Sequence, residues 1–190
     1  MSPGFKEIEV HDSTDLSPTD AWEALAERVR KTSQGGKVLP LDEVWQGTEG
    51  DFIQWTQSQA VAGVNDVVLI RERERSYLYS ERYMTRPYAE AAACAGCRDI
   101  CYAIAQTVRT DSRTYPRPTP LAVFSEAPFL FSREALARAL QEISEDPKYA
   151  DILRVQASDG SAYLFSAVHM DPAHARSLTE WIAVGHLKNP

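Results

Sequence analysis

The chain has 190 residues, of which 44% are hydrophobic and 25% charged, enough for one medium domain or two small ones of ordinary soluble composition. Its formal charge is −7. Residues 1–85 carry 9 Lys and Arg against 15 Asp and Glu, and residues 86–190 carry 11 against 12, so neither half has the basic excess of a nucleic-acid footprint.

Residues 1–19 are polar and broken by Pro3, Gly4 and Pro18, and are expected to form a flexible arm. The opening MSPGFKEIEVHDSTD lacks a basic region followed by an apolar run, so no secretory signal is expected. PTDAWEALAERVRK then predicts a helix over 20–31, with Trp22, Leu25, Ala26 and Val29 at helical spacing. After VLPLDEVW, a second helix is predicted over 50–61, with Phe52, Ile53 and Trp55 on its apolar face. VVLIRERERSYLYSERYM reads as a hairpin over 67–84 with a charged turn.

A longer helix is predicted from about Tyr88 to Thr107, striped by Ala89, Ala93, Cys97, Ile100, Ile104 and Val108. TDSRTYPRPTP, with Pro116, Pro118 and Pro120, cannot be helical inside and is a connection. SREALARALQEISED is the clearest helix, capped at Ser132, with Leu136, Ala139, Leu140 and Ile143 on one face. DILRVQASDGSAYLFSAV is a hairpin turning at Ser158–Gly160, and a closing helix runs from Pro172 to near Gly185.

YLYSERYM at 77–84 returns 86 positions later as YLFSAVHM at 163–170. The elements around each phrase follow in the same order: helix, connection, helix, hairpin, helix. Pro40-Leu41 and Pro120-Leu121 precede the second helix of each set, and Ala89 and Ala175 open the helices that follow. A tandem repeat accounts for phrase and order together, whereas reuse of Tyr, Leu and Phe by any amphipathic strand accounts for the letters alone.

Helix, connection, helix and two-stranded hairpin resemble the winged-helix fold, best in residues 88–169, where Ser132–Glu145 would take the recognition position and Gly160 the wing tip. The expectation is an α+β chain, mostly helical with two β-hairpins. It would comprise a first winged-helix-like module at 20–87 and a second at 88–190, packed through helix 88–108 and helix 172–186.

The resemblance implies DNA binding, because many winged helices place one helix in the major groove. The side chains argue otherwise: DFIQWTQSQA has no basic residue, and SREALARALQEISED sets Arg133 and Arg138 against Glu134, Glu142, Glu145 and Asp146. Positive charge gathers in RERERS, where Arg71, Arg73 and Arg75 would share a strand face, and in Arg109, Arg113 and Arg117 along the Pro-rich connection. Together these six form a candidate phosphate-contact strip. The alternative is a solvated hairpin with cross-strand Arg–Glu pairs.

Cys94, Cys97 and Cys101 fall at i, i+3 and i+7, one face of a helix, where three thiols could converge on zinc or an iron–sulfur cluster, with His169 or His174 as fourth ligand. The competing reading is three small buried hydrophobes. Asp171 between those histidines is better explained as a helix cap before Pro172. No phosphate-cradling glycine loop, HExxH or GxSxG occurs, and no catalytic constellation is recognised.

Tyr77, Tyr79 and Tyr83 alternate on one strand face, as do Tyr163 and Phe165, and an uncovered wing face would offer them to a partner. The apolar FSEAPFLFS is expected between the modules. The expectation that follows is a non-catalytic, cytoplasmic regulatory or adaptor protein working through protein–protein contacts and needing no cofactor. The alternatives are a DNA-binding transcriptional regulator and a redox accessory or sensor using the cysteines.

Overall fold

The structure, a computed structural model, describes residues 4–5, 18–58, 65–97 and 99–188. Among these lie six α-helices and eight short strands in three antiparallel sheets, an α+β architecture. The chain divides into two compact units, Met1–Ala93 and Cys94–Pro190. No helix among the described residues is long and apolar enough to cross a membrane. Most of the expected arm lies outside the described residues.

Unit 1 begins with β1 (Gly4–Phe5), then α1 (Pro18–Gln34), β2 (Leu39–Pro40), a 3₁₀ turn at Leu41–Glu43 and β3 (Trp45–Gln46), which pairs with β1. It continues with α2 (Glu49–Ser58), β4 (Val67–Glu72), β5 (Arg75–Ser80) and α3 (Arg86–Ala95). Residues 59–61 of the predicted second helix are outside the described residues. Thr48 caps α2 reciprocally: its hydroxyl accepts from the Asp51 N–H at 3.1 Å while its own N–H donates to the Asp51 carboxylate at 2.8 Å.

The main sheet has the order β2-β5-β4, and each face of β5 meets a different helix. Leu78 turns into a core of Leu25, Val29, Leu39, Leu41, Val44, Trp45 and Phe52, against which Trp22, Trp55, Val67 and Leu69 pack. Tyr77 and Tyr79 turn the other way, onto Ile70, Met84 and the Ala89 and Ala93 of α3.

Unit 2 repeats that plan. It holds α4 (Ile100–Thr114), β6 (Thr119–Pro120), a 3₁₀ turn at Leu121–Ser125, α5 (Arg133–Glu145), β7 (Ile152–Gln156), β8 (Ala162–Ser166) and α6 (Pro172–Lys188), with sheet order β6-β8-β7. Pro40 pairs with Tyr77 in one sheet, and Pro120 pairs with Tyr163 in the other. Ser132 caps α5 by accepting from the Ala135 N–H, and the Asp171 carboxylate caps α6 by accepting from the Ala173 and His174 N–H groups. Tyr163 and Phe165 face α6, packing with Ala183 in one cluster and with Met170 and Ala175 in another.

A polar quartet fastens helix to sheet in each unit. Arg30 donates two bonds to Asp66, at 3.0 and 2.6 Å, Ser80 Oγ donates to the same carboxylate at 2.6 Å, and the Ser80 N–H donates to Ser33 Oγ at 2.9 Å. In unit 2, Arg109 donates to Asp151 at 2.9 and 2.5 Å, Ser166 Oγ donates to Asp151 at 2.7 Å, and the Ser166 N–H donates to Ser112 Oγ at 3.0 Å. A forked guanidinium on a carboxylate fixes orientation as well as energy, so each quartet sets the helix against both ends of its hairpin.

One prediction is corrected. The single helix over 88–107 is two helices, α3 and α4, broken at 96–99. Gly96 follows α3, the Cys97 N–H closes back onto the Cys94 carbonyl at 3.1 Å, and extended Asp99 caps α4 by accepting from the Tyr102 N–H at 2.9 Å. The cap and the glycine outweigh the apolar stripe that runs across them.

Candidate functional site

In unit 2 an apolar groove of about 670 Å³ runs between α5 and β7. Ala137, Leu140, Gln141 and Ser144 form its helical wall. Ile152, Leu153, Arg154 and Leu164 form its sheet wall, and Tyr149 and Ala150 lie at one end. It forms because α5 buries Leu136, Ala139 and Ile143 in the unit and leaves Leu140 only half-buried at the seam. Arg154 is the one charged residue in the lining. Its guanidinium is exposed and has no carboxylate partner among the described residues.

β7 is an edge strand, bonded to β8 on one side only. Two bonds set its phase: the Ala157 N–H donates to the Ser161 carbonyl at 2.9 Å, and the Ala167 N–H donates to the Asp151 carbonyl at 2.8 Å. Antiparallel alternation then turns the N–H and C=O groups of Leu153 and Val155 toward β8, and those of Ile152, Arg154 and Gln156 outward.

A smaller pocket of about 280 Å³ lies on the α4–α5 seam, lined by Asp99, Ile100, Cys101, Ala135, Arg138, Ala139 and Glu142. The Cys101 thiol contacts the Ala139 carbonyl at 3.6 Å and the Glu142 carboxylate at 3.2 Å. Burial first, and the hydrogen bond to Glu142 second, push it up to about 12. Unit 1 has a charged pocket of about 490 Å³ between Asp42, the start of α2 and the hairpin tip. Its charges answer one another there: Arg75 pairs with Asp42 at 2.9 Å and Glu43 at 3.7 Å, and Ser76 Oγ donates to Glu49.

The residues singled out from sequence are distributed differently from their expected groupings. Arg71 and Arg75 stand on β4 and β5, with Arg73 in the two-residue turn between them at φ +55°, so the three share no strand face. Arg71 donates to the Arg73 carbonyl at 3.3 Å. Arg109 and Arg113 belong to α4 rather than to the Pro-rich connection, and Arg109 is the half-buried partner of Asp151. Arg117 does lie on the connection, 3.6 Å from Asp111 and over the Tyr115 ring.

The aromatic surface expected on the wings is interior. Tyr77, Tyr79, Tyr163 and Phe165 are buried because α3 and α6 cover that face of each sheet, and exposed Tyr83 lies in the turn after β5. The cysteines do not share one helix face either. Cys94 ends α3, Cys97 is in the turn and Cys101 opens α4, a consequence of the break at 96–99. Among the described residues no three His, Cys, Asp or Glu side chains are placed to hold a metal ion. His169 and His174 are exposed around the α6 cap. In the apolar FSEAPFLFS segment, Phe124 and Phe129 are buried with ring centroids 5.1 Å apart.

Sequence reasoning missed Arg154 and both quartets. A cation two places after Ile152 in DILRVQ, on the inward register of a short strand, was the signal for the first. The second was legible as ALAERVRKTS against AIAQTVRTDS, which repeats Val29-Arg30 and Ser33 as Val108-Arg109 and Ser112.

Comparison with known proteins shows the relationship. A family model described as the YdhW C-terminal domain matches residues 98–187, almost the span of unit 2. The "Uncharacterized protein YdhW" of Escherichia coli (strain K12) is 30% identical over 185 residues, covering 95% of this chain and 86% of that protein. The chain belongs to the YdhW family. The YdhW relationship extends over both units, because the aligned stretch is about twice the length of the matched C-terminal domain and covers 95% of the chain. No solved structure matches the chain.

Proposed function

We propose that the protein is a non-catalytic adaptor or regulator in which two winged-helix-like modules, arisen by duplication, act through protein–protein contacts. The α5–β7 groove carries this reading: an apolar channel beside an uncovered strand edge, with a single uncommitted cation, suits a protein ligand better than a phosphate backbone. The modular part is supported by the element order helix, short strand, helix, hairpin, by the first-third-second strand order of each sheet, and by the recurrence of the Arg–Asp–Ser–Ser quartet. The three cysteines, assigned to no disulfide, suit a reducing, cytoplasmic setting.

Nucleic-acid binding is the reading to exclude by experiment. Arg75, Arg109 and Arg117 have carboxylates of their own unit within 4 Å, and any phosphate would have to displace them. Two measurements decide. The purified chain is titrated into labelled random-sequence duplex DNA at low and physiological salt, and it is isolated from cells after mild crosslinking. The expected result is no salt-sensitive DNA binding and a protein partner recovered in stoichiometric amount. Steeply salt-dependent DNA binding without such a partner would replace the adaptor reading with a regulator working on DNA.

A further inference from the structure

We infer that the α5–β7 groove receives an extended segment of a partner protein, which adds to β7 as a fourth strand and sets an acidic side chain against Arg154. This rests on the adaptor reading and names the site and the chemistry of what binds there.

The strand edge supplies the first half of the argument. Ile152, Arg154 and Gln156 present outward N–H and C=O groups with no strand beyond β7 among the described residues. Exposed edges of this kind are templates for pairing, and peptide recognition by strand addition uses these backbone bonds for affinity and adjacent pockets for specificity.

The groove supplies the second half. A strand laid on β7 projects alternate side chains to the face shared by Ile152, Arg154 and Leu164, which is the face that α5 walls with Ala137 and Leu140. The residue opposite Ile152 meets an apolar wall. The residue opposite Arg154 meets an unpaired guanidinium, and a carboxylate there forms a cross-strand pair. The segment recognised is therefore an acidic residue with an apolar residue two places to one or both sides. A second copy of the chain fits poorly. The antiparallel register that pairs the most β7 residues is centred on Arg154, and it would place two guanidinium groups opposite each other.

The test uses the full chain and a phage-displayed library of random linear nine-residue peptides. Enriched peptides are synthesised and titrated while amide exchange is followed. The expected peptides alternate apolar residues about an Asp or Glu and slow exchange at the amides of Ile152, Arg154 and Gln156. Arg154→Glu should weaken them about tenfold, and changing the peptide's acid to Lys should restore binding. Arg154→Pro removes an outward N–H together with the guanidinium while leaving the N–H groups that face β8 in place, so it should weaken binding by more than about tenfold, and changing the peptide's acid to Lys should not restore it; far-UV circular dichroism checks that both variants fold. The inference is overturned if no peptide is enriched, if protection falls elsewhere, or if both variants bind the selected peptides undiminished. A native partner complex that forms undiminished with both variants likewise overturns the groove while leaving the adaptor reading in place. Loss of that reading would instead show as no partner at all.

Discussion

The two units share a frame and fill it differently. The quartets align Arg30 with Arg109 and Ser33 with Ser112, and from there Leu25, Ala26 and Val29 fall on Ile104, Ala105 and Val108, all six fully buried. One turn earlier the match stops. Trp22 of α1 meets Trp55 of α2 edge-on at 5.4 Å, and Trp55 also packs on Trp45 and Phe52. In α4 and α5 those two places belong to Cys101 and Ala139, which touch through a thiol and a carbonyl. Leu69, packed against the unit 1 core, has Arg154 as its counterpart in β7. Among the described residues, large rings pack where α1, α2 and the sheet of unit 1 meet, and small residues and a cation stand at the corresponding places of unit 2. A shared frame therefore constrains the polar fastening and the inner helix face, and leaves the seam free to differ.

The largest test of that contrast is in the cores. Phe52→Ala should destabilise unit 1 by about 3–4 kcal/mol, because it removes a buried ring packed against Trp45 and Trp55. Leu136→Ala at the corresponding turn of α5 should cost unit 2 about 2–3 kcal/mol. Urea unfolding can read both, with fluorescence weighted to unit 1 by Trp22, Trp45 and Trp55. Equal costs would break the claim that ring packing distinguishes the two seams.

The quartets should respond alike. Asp66→Asn and Asp151→Asn each strand a half-buried guanidinium and should cost about 2–3 kcal/mol. Arg30, with Ser80 and Arg82 assisting, holds the Asp66 carboxyl down to about 2, and Arg109 with Ser166 lowers Asp151. Both native-state values lie below those of the unfolded chain, so their stabilisation is present above the unfolded value and is lost as pH falls through each native-state value, about 2 for Asp66. For Asp66 that loss is about 2 kcal/mol. Acid titration of stability should show it, and Asp66→Asn should remove that part of the slope.

How much of this was legible in sequence follows from what carried each signal. Hairpins, caps and element order are local, so Ser132, Asp171 and Gly160 could be read directly. The aromatic hairpin strands were misjudged because burial depends on α3 and α6 returning over the sheet, a long-range event that alternation within YLYS cannot reveal. The cysteine face failed for a local reason that was visible but underweighted: Gly96 and Asp99 stop and restart a helix whose apolar stripe runs on regardless. Arg154 was legible as a cation on the inward register of DILRVQ, but its meaning as a site depends on β7 being an edge, which only the strand pairing decides.

The thiols offer a smaller effect. Cys94 and Cys101 are buried and Cys97 only partly so, and Cys101 is held protonated up to about 12. Iodoacetamide at pH 8 should modify Cys97 first and the other two only with unfolding, as peptide mass mapping would show. Rapid labelling of Cys101 would mean that the α4–α5 seam opens readily, widening the contrast with the ring-packed seam of unit 1.

The smallest effect sharpens the comparison most narrowly. Asp66 has a second cation, Arg82, at 3.3 Å, and the place corresponding to Arg82 after β8 is Val168, exposed by 72%. Val168→Arg removes an exposed methyl pair and offers Asp151 the partner that Asp66 already has. Because the new arginine would be solvated, the gain should be about 0.5 kcal/mol at neutral pH and low salt. It should shrink in salt as the pair is screened, and it should vanish below the pH at which Asp151 protonates. A gain unchanged by salt would point to packing rather than charge, and no gain at all would mean that Arg82 contributes little to Asp66 and that Arg30 alone holds its quartet.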